Sequence, residues 1–183
     1  MRLKSTHIPY ISNKIVIDMA NSSLVDIKFP IEELKQSIER ILKEDLDKER
    51  ALDERVYELL DEQEEEIEFM QVDRKNMFWL IKKKLAPEFS VILNNEDRHN
   101  NLAHLILQDF FENDFINFNV SENRIKNMIF ASIEDYLKNY AKIEVEVEEK
   151  INNYKRKLVR GSSEYELVFE KLYAEELRKK GLL

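Results

Sequence analysis

Three histidines, His7, His99 and His104, and no cysteine stand in this chain of 183 residues. Without thiols it cannot host a thiolate nucleophile, a disulfide or a thiolate zinc site. Glu96 and His99 form a Glu-x-x-His pair, the spacing by which di-iron carboxylate bundles present two ligands from one helix. That chemistry needs a second pair and two more glutamates. The positions ninety-one residues earlier are Ser5 and Ile8, so the second pair is missing. His99 and His104 are five apart and fall on different helical faces. The expectation is exposed loop histidines and no metal centre. "DLDKERALDERV" (Asp45 to Val56) loosely resembles a calcium loop, but it carries Arg50 where glycine is needed and Val56 where glutamate is needed. Phosphate-cradling loops need clustered glycines, and the two present, Gly161 and Gly181, are twenty residues apart. No serine stands three residues before a lysine, so the Ser-x-x-Lys nucleophile pattern is absent too. No cofactor is implied, and an enzyme resting on carboxylate abundance alone is the weakest reading.

What remains is a pattern of charge around one tryptophan. Residues 43–68 hold thirteen acids and four bases, while 69–95 hold five bases and two acids and 155–183 hold eight bases and five acids. The acidic run "DEQEEEIE" (61–68) contains Glu64, Glu65 and Glu66, and "YKRKLVR" contains Lys155, Arg156, Lys157 and Arg160. A second basic run is Lys82, Lys83 and Lys84, with Trp79 just before it. At about 100° per residue, Met77, Phe78, Ile81 and Leu85 share one face and Trp79 points away, beside Lys75, Lys82 and Lys83. Such a tryptophan can anchor an interface or stack a base; the favoured structural reading is that it fills a seam. The charge clusters themselves read as solvated faces, as contacts between oppositely charged ends within or between chains, or as a basic patch for RNA. The overall net charge of −8 argues against a phosphate-seeking surface across the whole molecule.

Long helices must position these groups. Two glycines and three prolines, set against abundant Glu, Lys, Leu and Ile, leave few turn formers for a sheet-rich fold. From Ile31 to Ile67, Leu34, Ile38, Ile41, Leu42, Leu46, Leu52, Val56, Leu59 and Leu60 recur at spacings of mainly three and four, predicting one long amphipathic helix with a bend at "DLDKE" (45–49). Ile125, Ile129, Ile133, Leu137, Ile143, Val147, Ile151 and Leu158 predict a second, with Ser121 as N-cap and Gly161 after its end. A shorter helix follows each, one from Asp73 and one from Ser163 with Glu166 as a capping box. A short helix opens each half, "YISNKIVIDMA" and "LAHLILQDFF". "LVDIKF" and "FINFNV" alternate like strands too short to do more than pair with each other.

At an offset of ninety-one residues apolar meets apolar throughout: Ile15 with Ile106, Leu24 with Phe115, Ile38 with Ile129, Val56 with Val147, Phe78 with Phe169. The expected architecture is all-α: two tandem pseudo-symmetric repeats, 1–91 and 92–183, each with one long helix and two shorter ones, joined by "APEFSVILNNEDRH" (86–99). In that register Glu64–Glu66 sit at positions equivalent to Lys155–Lys157, so the clusters would occupy related places with opposite sign.

"HIPYISNKIVIDMA", "EIEFMQVDRKNMFWLIKKKLAPEF", "VSENRIKNMIFASIEDY" and "YKRKLVRGSSEYELVFEKLYAEELRKKG" resemble, over the full length, the uncharacterised bacterial domain-of-unknown-function family numbered five hundred and seven. The resemblance implies a small soluble bacterial protein and supplies no catalytic or ligand residues. The N-terminal stretch lacks a signal-peptide apolar core and no run reaches the ~20 apolar residues of a membrane span, so a cytoplasmic protein is expected. The function expected is a non-enzymatic interaction or scaffold protein, binding a protein partner or itself, with RNA or ribosome association through the basic runs as the alternative.

Overall fold

The structure is a computed structural model that describes residues 3–64, 73–154 and 157–180. After a single 3-10 turn at Ser5–His7 come α1 (Ile8–Asn21), β1 (Val25–Ile27), α2 (Ile31–Glu62) and α3 (Arg74–Leu85). Then follow α4 (Asn95–Glu112), β2 (Ile116–Phe118), α5 (Glu122–Asn152) and α6 (Ser163–Lys179). The fold is mostly all-α. The two strands pair antiparallel in one small sheet, with Val25 opposite Phe118 and Ile27 opposite Ile116.

The two long helices are each used twice along their length. The first part of α2 (Leu34, Ile38, Ile41, Leu42) and of α5 (Ile125, Ile129, Ile133, Leu137) enters a central core with α1, α4 and the strands. Beyond that core the stripe continues and needs separate cover. Leu52, Val56 and Leu60 of α2 receive it from Met77, Phe78, Ile81 and Leu85 of α3. Ile143, Val147 and Ile151 of α5 receive it from Val168, Phe169, Leu172 and Leu177 of α6. Each long helix with its short companion thus forms an arm with its own apolar cluster. No helix among the described residues is long and apolar enough to cross a membrane.

Several local expectations change. α2 stays helical across 45–49, and Ile67 lies outside the described residues. α5 ends at Asn152, short of Leu158, because Asn152 and Asn153 are poor helix interiors and Asn153 caps the end. Leu158 instead packs on the α5–α6 cluster from the connection. Gly161 sits in that connection at φ 82°, a conformation that favours glycine. Ser121 is the N-cap residue of α5 but makes no side-chain cap bond. The cap of α6 is Ser162, whose Oγ accepts from the Tyr165 N–H at 3.2 Å, one residue ahead of the expected capping box. Asp73 caps α3 as its position predicts, accepting from the Lys75 N–H at 3.1 Å.

The histidines are corrected most. His104 is exposed, but His7 and His99 are buried. Asn94 caps α4 from its side chain, so the helix begins seven residues before Leu102 and carries His99 inward to Glu134 of α5. His7 lies against the Tyr140 ring, with centroids 4.0 Å apart. Its Nδ1 accepts from the Lys4 N–H at 3.2 Å, which leaves the proton on Nε2. Protonating Nδ1 would break that bond and charge a ring with no water around it. Burial, with Lys4 adding repulsion, accordingly lowers the His7 pKa from 6.5 to about 4.

A buried base with a depressed pKa is neutral in both states at high pH and contributes no pH dependence there. Between pH 6.5 and 4 the unfolded chain takes the proton first, so stability is lost as pH falls through that window. Urea unfolding followed from pH 8 to 4 is expected to show a loss of about 3 kcal/mol that is absent in His7→Phe. A wild-type profile that parallels the variant's would refute the assignment.

Candidate functional site

The predicted site residues fall on the α2–α3 arm and around the connection before α6. α3 is positioned by its cap at Asp73 and by its apolar face on α2. Its three lysines do not share a surface. Lys83 and Lys84 are exposed, as expected of a basic patch. Lys82 is not; it is 2% exposed, and its membership of an open patch is corrected.

The reason is angular. Lys82 is four residues after Phe78 and lies about 40° from it around the helix, at the margin of the buried face. From there its Nζ reaches Glu49 Oε1 at 3.1 Å and Asp53 Oδ1 at 2.6 Å, both on α2. The ammonium also lies 5.8 Å from the Phe78 ring centre and 5.5 Å from that of Trp79, within cation–π range. Glu49 Oε2 accepts from the guanidinium of Arg98, on α4, at 2.6 Å. Arg98 also donates to Asp45 Oδ2 at 2.6 Å. Burial opposes the Arg98 charge, but the hydrogen bonds and attraction from Asp45 and then Glu49 outweigh it and raise its pKa. α2, α3 and α4 therefore meet at one dry ionic cluster. Its groups join the three helices, and Glu49, Asp53 and Asp45 also reach the edges of neighbouring clefts.

Trp79 also departs from expectation. It does not fill a seam; it is 53% exposed, with its edge against Phe78 at 5.7 Å. Leu80, which carried no expectation, is 65% exposed beside it, and Tyr57 on α2 is exposed where it leans on Phe78 at 5.0 Å. Trp79 and Leu80 thus stand exposed side by side on α3, followed by the exposed Lys83 and Lys84, and Tyr57 is exposed against Phe78. The signal for Leu80 was present in the helical wheel, where it lies about 130° from the mean direction of Phe78 and Ile81.

The charged clusters are partly neutralised at home. Glu64 meets Arg74 of α3 at 3.2 Å, and Arg160 meets Glu148 of α5 at 2.6 Å. Lys157 is exposed. Glu65, Glu66, Lys155 and Arg156 lie outside the described residues. Among those described, no group of three or more His, Asp or Glu side chains is placed to hold a metal ion.

Removing one partner from a buried ion pair strands the others without water, at a cost of about 3–5 kcal/mol. Lys82→Met is therefore expected to destabilise the protein by about that much in urea unfolding, whereas Lys83→Met and Lys84→Met change it by about 0.5 kcal/mol or less. Equal effects at all three positions would refute the separation of their roles.

No curated protein matches the chain. A family model described as "Protein of unknown function (DUF507)" matches residues 1–182. The match covers α1 through α6, including the ionic cluster and the exposed aromatic surface, and the chain belongs to that family.

Proposed function

We propose that this protein is a non-enzymatic interaction protein that docks a protein partner on the exposed face of α3. The observation that carries the reading is the adjacent exposure of Trp79 and Leu80, at 53% and 65%, on a helix whose opposite face is fixed to α2. Burying a tryptophan removes some 150–250 Å² from water. Interface anchors are enriched in Trp and Tyr and sit on supports that do not move. Trp79 has such a support in Phe78 and in the buried Lys82 ammonium. Lys83 and Lys84 would sit at the rim, where charge steers encounter and register more than it adds affinity. The sequence agrees by offering no thiol and no glycine-rich phosphate loop.

RNA association keeps Trp79 with Lys83 and Lys84 as a stacking platform and phosphate contacts. It loses Lys82, whose charge is spent on Glu49 and Asp53. Cytoplasmic residence fits either reading.

The test is affinity purification of the full chain from its native cell, with absorbance at 260 and 280 nm recorded and Trp79 fluorescence followed. Trp79 is the sole tryptophan, so its emission reports this surface directly. A stoichiometric protein that shifts the emission and is lost in Trp79→Ala and Leu80→Ala, each weakening binding about 30-fold, is the expected result. Retention of the partner by both variants overturns the reading. Recovery of nucleic acid instead, released as salt rises, replaces it with the RNA reading.

A further inference from the structure

The other arm carries a different feature. Between α1, α5 and α6 lies a groove with a volume of ≈ 840 Å³, within the size range of small-molecule sites. Its walls are rings. Tyr165, Phe169 and Tyr173 follow one another at intervals of four along α6, the helical spacing that stacks side chains on one face. Their planes are nearly parallel, with centroids 6.2 Å and 5.8 Å apart. Tyr140 of α5 leans on Tyr173 at 4.9 Å, and Tyr10 of α1 lines the groove from the other side.

The charged groups at the groove are Glu148, Arg160, Glu166 and Glu170. Glu148 and Arg160 neutralise each other at 2.6 Å. Glu166 and Glu170 are exposed and have no ion pair among the described residues, so the rim carries net negative charge. Burial raises the Tyr173 pKa, which keeps its hydroxyl neutral. Ring faces present negative quadrupole and attract cations. Tyr140 already has the Lys4 ammonium 6.0 Å from its ring centre, so the rings of α6, Tyr165, Phe169 and Tyr173, together with the acidic rim are what favour an added positive charge. An apolar neutral ligand would gain only from the rings, and an anion would be opposed by the rim.

We propose that this groove binds a small organic cation, of the class in which a quaternary ammonium is joined to an apolar or aromatic group. The rings take the apolar part and the onium face, and Glu166 and Glu170 supply the opposite charge. The site is separate from the α3 surface and does not depend on how that surface is used.

The probe is phenyltrimethylammonium, set against tert-butylbenzene, its uncharged isostere, and benzenesulfonate. Binding to the full chain is followed by NMR of the tyrosine ring protons. The cation is expected to saturate, to shift Tyr10, Tyr140, Tyr165 and Tyr173, and to bind about tenfold more tightly than the isostere. Benzenesulfonate should not bind there. Glu166→Gln combined with Glu170→Gln, both at the surface, should weaken the cation about tenfold and leave the fold intact. Glu54→Gln with Glu58→Gln, on the other arm, should leave it unchanged. Equal binding of cation and isostere, shifts confined to rings outside the groove, no saturable binding, or equal losses in the two paired variants would each overturn the proposal.

Discussion

Glu49 is the point on which the first half of the molecule turns. One carboxylate oxygen takes Lys82 from α3 and the other takes Arg98 from α4. Those residues lie on opposite sides of the connection between the halves. Each charge alone would be costly to bury, and each is tolerable only while the others are in place. The segment between α3 and α4 must therefore return both helices to the same turn of α2. It does so with a reversal at Ser90, whose φ is 55°, and with the Val91 N–H donating to the Ala86 carbonyl at 2.9 Å. Ala86 and Val91 close the turn by joining the apolar cluster of Leu52, Val56 and Leu60. Charge pairing here fixes where the helices cross, while apolar burial supplies the stabilisation.

This arrangement separates what could be read in the sequence from what could not. The helical stripes of α2 and α5 were legible because a period near 3.6 survives over thirty residues, and the strand pairing was legible because "LVDIKF" and "FINFNV" had no other partner. The interior position of Lys82 was harder to see. Its angular place near Phe78 was available, but a lysine enters a core only if a carboxylate waits there, and Glu49 is thirty-three residues away among many acids. His99 was misplaced for a related reason. "NNEDRH" looks like a polar connection, yet Asn94 starts a helix there, and Arg98 and His99 then face ionic partners on α2 and α5. Polarity in a sequence reports affinity for water or for an opposite charge, and only the fold decides between them. The groove on α6 was missed because its rings read as ordinary core positions of a short amphipathic helix.

The two halves show the same order of helix, strand, long helix and short helix. The pairing of Asp26 with Asn117, themselves ninety-one residues apart, lies at the middle of the small sheet. Across the centre, Asp18 of α1 accepts from Ser132 of α5, and Asp109 of α4 accepts from Ser37 of α2. Asp18 and Asp109 differ by the same ninety-one. These regularities support the proposal of an internal duplication.

The offset also connects the two distinctive clusters. Asp45, Glu49 and Lys82 correspond to Tyr136, Tyr140 and Tyr173, and Arg98 corresponds to His7. The contacts correspond as well: Lys82 and Arg98 converge on Glu49, and Tyr173 and His7 converge on Tyr140. One set of positions is filled by full charges and the other by rings, with the imidazole kept neutral. Ion pairs need short, directed contacts and draw their helices together. Rings meet at 4–6 Å and tolerate many angles, so His7, Tyr136 and Tyr140 pack into the core without a charge to pair. The positions related by the offset thus hold a buried ionic joint in one place and a mostly buried aromatic joint in the other, and the groove opens beside the second, at Tyr140 and Tyr173.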